Sequence, residues 1–116
     1  MPIRVLIVDD DAVFRAAARR LLEARGLVVA GEAGSLRDGR ARFAALRPDA
    51  VLLDVGLPDG NGLHLATELA AEPDPPRVLL ASSDPGAITR GLLARSGARF
   101  VPKADLPAAD LSALLT

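Results

Sequence analysis

Five short apolar runs recur along the chain, and stretches with helical spacing separate them. The runs cover residues 3–8, 27–33, 50–54, 77–81 and 99–102. In the third, Ala50-Val51-Leu52-Leu53 leads straight into Asp54. A strand that is apolar throughout, rather than alternating, is buried on both faces. Such strands alternating with helices specify a parallel sheet covered on both sides. The sequence therefore predicts an α/β fold, a doubly wound (βα)5 unit around a parallel five-stranded sheet. In sheets of this kind ligands bind beyond the C-terminal strand ends, where the strand order switches.

The helices can be placed by their caps. Asp10 or Asp11 caps the first, which runs to about Arg25 with Val13, Phe14, Ala17 and Leu21 facing inward, and Gly26 closes it. Ser35 caps a second helix to about Leu46, with Leu36, Phe43 and Leu46 as its apolar contacts. A third spans about residues 63–71. Asp84-Pro85 suits the opening of a fourth, with Pro at the first helical position, running to about Ser96 before Gly97. A last helix starts near Leu106-Pro107, and Pro102 marks the fifth strand as an edge strand.

Composition narrows the function classes. At 116 residues and 50% hydrophobic, the chain fits one ordered domain. A net charge of −1 offers no electrostatic case for nucleic-acid contact. The absence of cysteine excludes disulfides and thiolate metal sites. The first residues lack a signal-peptide apolar region, and no run reaches membrane-span length, so a soluble cytoplasmic protein with no membrane contact is expected. Of 14 basic residues 13 are arginine, and the one lysine is Lys103. That position favours a compact ammonium over a guanidinium.

The strand ends carry the chemistry. Asp9-Asp10, Asp54, Ser82-Ser83 and Lys103 end four of the five strands, on one edge of a parallel sheet. Singly each has a plainer reading: a helix cap, a turn residue, another cap, a solvated charge. Together they make a site. Three close carboxylates cannot all stay ionised without a counter-cation. Lys103 supplies one positive charge, and an all-oxygen donor set suits Mg²⁺. A carboxylate in such a site can attack phosphorus and form an aspartyl phosphate. His64 has no partner in sight and receives no role.

The arrangement resembles the receiver domain of two-component response regulators, over the whole chain and in the same order. Val8-Asp9-Asp10-Asp11 is similar to the acidic pocket after the first strand. Residues 53–62, Leu-Asp-Val-Gly-Leu-Pro-Asp-Gly-Asn-Gly, resemble the phosphoacceptor strand and its loop. Ala81-Ser82-Ser83 resembles the switch hydroxyl, and Phe100-Val101-Pro102-Lys103 the switch aromatic and the lysine three residues on. The resemblance implies a flavodoxin-like strand order 2-1-3-4-5 and a receiver domain over residues 1–116, any output domain lying outside this chain. It implies Asp54 as phosphoacceptor. Asp10 is a direct Mg²⁺ ligand, Asp9 acts largely through water, and the Gly56 backbone carbonyl is a further ligand. Lys103 contacts the phosphoryl group, Ser82 is the switch hydroxyl with Ser83 as fallback, and Phe100 is the switch aromatic. The implied partner is a histidine kinase. Output runs through the surface of the fourth helix, fifth strand and last helix, with homodimerisation there as one mode. Departures are Gly56, which offers no side chain two residues after the acceptor, Phe100 without a hydroxyl, and Ala104 after the lysine.

Two other functions compete. A phosphohydrolase of haloacid-dehalogenase type would use Asp9 and Asp11 as its Asp-x-Asp pair. A non-phosphorylated pseudo-receiver would serve only as a binding module. On the first reading the chain is no enzyme beyond its own phosphorylation and dephosphorylation.

Overall fold

The computed structural model describes residues 2–84, 86, 88 and 90–116. Strand β1 (Arg4–Val8) is followed by helix α1 (Ala12–Ala24), β2 (Val28–Ala33), α2 (Leu36–Leu46) and β3 (Ala50–Asp54). A small antiparallel hairpin, Gly56–Leu57 with Gly60–Asn61, leads into α3 (Gly62–Ala70). Then come β4 (Arg77–Ser82), α4 (Arg90–Ser96), β5 (Arg99–Pro102), a 3-10 turn (Lys103–Ala108) and α5 (Leu111–Leu115). The main sheet has the order β2-β1-β3-β4-β5 with every pair parallel, which is the flavodoxin-like 2-1-3-4-5 arrangement. β5 lies on an edge, as Pro102 requires.

Side chains alternate across the strands and divide the core into two layers. Val5, Ile7, Ala50, Leu52, Leu79 and Ala81 pack with Ala18 and Leu22 of α1 and Leu111 and Leu115 of α5. Leu6, Val8, Val51, Leu53 and Leu80 pack on the other side with Leu36 and Phe43 of α2 and Leu65 and Leu69 of α3. The whole of β3 is buried, which is why it carries no polar residue before Asp54.

Three expectations are corrected. The inward stripe of α1 is Phe14, Ala18 and Leu22, with Leu21 partly buried, whereas Val13 is 80% exposed and Ala17 is exposed. Asp11 caps the helix, accepting from the N–H of Val13 and Phe14, and this sets the phase one residue later than expected. α4 begins at Arg90 rather than at Asp84-Pro85, and Pro85 lies outside the described residues. Residues 103–108 form the 3-10 turn containing Pro107, so α5 starts only at Leu111, capped by Asp110. Pro107 cannot donate to an α-helical ladder, and the tighter turn absorbs it. Among the described residues no helix is long and apolar enough to cross a membrane.

Candidate functional site

Sheet register assembles the site. Val8 is level with Leu53, so the next residues, Asp9 and Asp54, leave the sheet side by side. Asp54 is level with Ala81, which is level with Val101, so Lys103 emerges two residues beyond that row. By alternation Asp9, Asp54 and Lys103 continue the layer that faces α1 and α5. Ser82 and Phe100 continue the opposite layer.

Carboxylate oxygens of Asp9, Asp10 and Asp54 lie within 4.8 Å of one another. Asp9 is 1% exposed and Asp54 9%, while Asp10 faces solvent. Lys103 Nζ stands 2.7 Å from Asp9 Oδ2 and 3.7 Å from Asp54 Oδ2. The ammonium pairs closely with the buried Asp9 Oδ2, which has no other donor among the described residues. Burial pushes the Asp54 carboxyl above its ordinary pKa, and the Asp9 charge adds to this. Lys103 and the Gly56 N–H pull the other way without offsetting it. Burial also works against the Lys103 ammonium, but Asp9, Asp54 and Asp11 outweigh it and hold its pKa above the usual value. An open carboxylate, a buried oxygen with a free lone pair and a third carboxylate form a hard oxygen donor set of the kind that takes a small divalent cation.

Local contacts hold these groups in place. Asp9 Oδ1 accepts from the Asp11 N–H at 2.9 Å. Arg15 donates from Nη1 to the Asp9 carbonyl at 2.6 Å and from Nε to Glu32 Oε1 at 3.0 Å, tying the acidic loop to β2. The Glu32 carboxyl stays below its ordinary pKa because Arg19 and Arg15 outweigh its burial. After Asp54 the chain returns through the hairpin, and the Gly62 N–H donates to the Val55 carbonyl. A Cβ on Gly62 would collide with the Asp54 carbonyl oxygen, so α3 can start against the acceptor strand only with glycine there. Asp59 accepts from the N–H of Leu36 at 2.8 Å and of Arg37 at 3.0 Å, which fastens the hairpin to the start of α2. Those two bonds hold its pKa below the ordinary carboxylate value.

Ser82 is 5% exposed and Ser83 is exposed, which favours Ser82 as the buried hydroxyl. Its Oγ donates to the Asp84 carbonyl and accepts from the Asp84 N–H, both at 3.0 Å. Phe100 is half-buried against the layer of α2 and α3. Gly56 is exposed with open space around its Cα. Sequence reasoning missed Phe14, whose ring lies under Lys103 Nζ at 4.2 Å from the centroid, and Arg15 and Asp59. Asp59 sits in a Pro-Asp-Gly turn, where an acidic residue is expected on local grounds alone.

The family model described as the response regulator receiver domain matches residues 5–111. The transcriptional activator DevR/DosR of Mycobacterium tuberculosis is 44% identical over 82 residues, which is 70% of this chain and 38% of that protein. The protein-glutamate methylesterase/protein-glutamine glutaminase 5 of Myxococcus xanthus is 42% identical over 83 residues, 71% of this chain and 24% of that protein. This chain thus spans well under two thirds of the curated relatives it matches. Among solved structures, a LuxR-family response regulator from Aurantimonas sp. SI85-9A1 superposes with a TM-score of 0.86 at 27% identity, covering 97% of this chain and 82% of that one. The response regulator domain of Thermotoga maritima CheB gives 0.77 at 27% identity, covering 88% and 78%.

Proposed function

The chain belongs to the response regulator receiver domain family and has that family's role of a phosphorylation-activated switch, in which we propose that Asp54 is the residue phosphorylated. The observation that carries the assignment is the Lys103 ammonium 2.7 Å from Asp9 and 3.7 Å from Asp54, in a cluster of three carboxylates. The 3.7 Å separation is too long for a hydrogen bond, yet an oxygen added on Asp54 falls within reach of the ammonium. The donor is the phosphohistidine of a partner histidine kinase. An Asp54 oxygen attacks phosphorus, a P–O bond forms, the P–N bond breaks, and the imidazole nitrogen leaves with the electron pair and takes a proton. Lys103 then balances the charge on the transferring group.

Asp9, Asp10, Asp54 and the Gly56 carbonyl would hold Mg²⁺, and three carboxylates grouped around a single ammonium fit that use. When bound, the ion neutralises phosphoryl charge. Ser82 is the switch hydroxyl and Phe100 the switch aromatic, with output through the α4-β5-α5 surface, including homodimerisation, in a cytoplasmic setting. Any DNA contact belongs to a domain outside residues 1–116, and the chain's own chemistry is limited to gaining and losing the phosphoryl group.

The phosphohydrolase reading loses support because Asp11 is committed as a helix cap and does not share a focus with Asp9. The pseudo-receiver reading requires an incomplete site, and here the carboxylates and the lysine converge. The test is mass spectrometry of the chain treated with Mg²⁺ and a small acyl phosphate. A gain of one phosphate, lost in Asp54→Asn, is expected. No gain in the wild-type chain would sink the assignment.

A further inference from the structure

Helix α1 grips the segment after β5 at two points. At its start, the Phe14 ring lies 4.2 Å from Lys103 Nζ, centroid to nitrogen. At its end, Arg25 donates from Nη1 to the Ala109 carbonyl and from Nη2 to the Pro107 carbonyl, both at 2.6 Å. Phe14 is placed in turn by the Asp11 cap, which accepts its N–H. An ammonium within about 6 Å of an aromatic face is drawn to the ring quadrupole, most strongly where water is excluded. The Lys103 side chain is only 18% exposed.

The chemistry of the contact matters as much as its distance. An ammonium has three donors and no acceptor. A carbonyl or carboxylate in the ring's position would claim one donor in a directional bond. The ring holds the charge without claiming any, so the N–H groups stay available for oxygens. Building on the reading of Asp54 as phosphoacceptor, we propose that Phe14 is a positioning residue for phosphoryl transfer, its ring holding the Lys103 ammonium where the phosphoryl oxygens arrive. Arg25 fixes the backbone of the same segment, so the lysine is restrained at both its chain and its charge.

The test replaces Phe14 with phenylalanines carrying one, two and three fluorines, which keep the ring's shape and drain its face of negative charge, together with Phe14→Leu and Phe14→Tyr. Three quantities are read: the phosphorylation rate with Mg²⁺ and a small acyl phosphate, Mg²⁺ affinity by calorimetry, and the proton shift of the Lys103 ε-methylene. As Lys103 is the only lysine, its signal carries no ambiguity. In the wild-type chain the methylene is displaced upfield by the ring current, and Phe14→Leu removes the displacement. The rate falls stepwise with fluorination and by about five- to thirty-fold in Phe14→Leu, the range of about 1–2 kcal/mol for such a contact. Tyr restores it, and Mg²⁺ affinity stays within about twofold, well under 1 kcal/mol. A residue that merely fills space would not follow ring charge. A wild-type methylene without upfield displacement, or equal rates across the series, would overturn the role of Phe14. A wild-type chain that takes up no phosphate is a separate result and sinks the assignment of Asp54 instead.

Discussion

Lys103→Met isolates what one charge does for the fold. Methionine keeps most of the side-chain volume and its packing on Phe14, and it removes the ammonium. With an effective dielectric of about 20, the attractions at 2.7 and 3.7 Å amount to about 6 and about 4.5 kcal/mol. Most of this is offset by the cost of taking lysine and the carboxylates out of water. Removing one partner of a buried pair costs about 3–5 kcal/mol, because the other charge stays behind unpaired. Asp10 opens the cluster to solvent, which lowers the expectation here to about 2–3 kcal/mol at pH 7.5. For a domain of 116 residues that is a fall in Tm of about 8–12 °C. The pH dependence has a definite sign. Without lysine, the Asp54 carboxyl, already raised, rises further. A raised carboxyl pKa makes stability fall as pH climbs from the unfolded to the folded value. The deficit is therefore largest near neutrality and shrinks as the pH falls through the raised folded value of Asp54 toward the unfolded value of about 3.9, because the folded carboxyl is then protonated and no longer a buried charge. Urea unfolding of both proteins at pH 7.5 and 4.5 measures it, and Mg²⁺ at pH 7.5 should restore the variant more than it helps the wild type. A deficit of equal size at both pH values would assign the loss to packing on Phe14. A variant as stable as the wild type at pH 7.5 would refute the electrostatic reasoning altogether.

Asp54→Asn should have the opposite effect, raising the midpoint in urea at neutral pH, because burial and the Asp9 charge make ionised Asp54 unfavourable. The gain should fade on acidification, and a variant less stable than the wild type at pH 7.5 would contradict it. Gly62→Ala should destabilise by about 2 kcal/mol or more in thermal melts, since its Cβ meets the Asp54 carbonyl oxygen, a backbone atom that cannot turn aside. Asp59→Ala should speed hydrogen exchange at the Leu36 and Arg37 amides selectively, and unchanged exchange there would show that the hairpin does not cap α2.

What the sequence made legible follows from period and burial. The five strands could be read because buried parallel strands leave an unbroken apolar run, and the ends Asp9, Asp54, Ser82 and Lys103 follow directly from the strands. Ser35 caps α2 as local chemistry dictates, whereas α3, capped by Asn61, starts at Gly62, one residue earlier than the expected 63. The phase of α1 is ambiguous in sequence because Val13 and Ala17 are as apolar as the inward residues, and only the cap at Asp11 decides between them. The start of the last helix is ambiguous because Pro107 is compatible with a helix start and equally with a 3-10 turn, and Arg25 holds the Pro107 and Ala109 carbonyls from 82 and 84 residues away. Phe14 and Lys103 carry no joint signal in sequence, since nothing local links a helix ring to a strand-end cation.

The two core layers constrain how a signal leaves the site. Asp9, Asp54 and Lys103 belong to the layer of α1 and α5, while Ser82 and Phe100 belong to the layer of α2 and α3. Under the proposed assignment the charge is gained on one side of the sheet, and the response begins on the other. A message of that kind cannot pass through the strands, whose register is fixed by ladder hydrogen bonds. It must cross over their ends. Ser82 is the residue placed to do this, and its hydroxyl is already engaged by both the N–H and the carbonyl of Asp84. Turning toward a phosphoryl oxygen therefore gives up two hydrogen bonds, each worth about 1 kcal/mol net, in exchange for one charge-assisted bond worth about 1.5–3. With the phosphoryl group present the exchange is nearly even, and without it the two bonds to Asp84 keep the hydroxyl where it is. The exchange also releases the Asp84 backbone at the exit of β4, which leads toward α4.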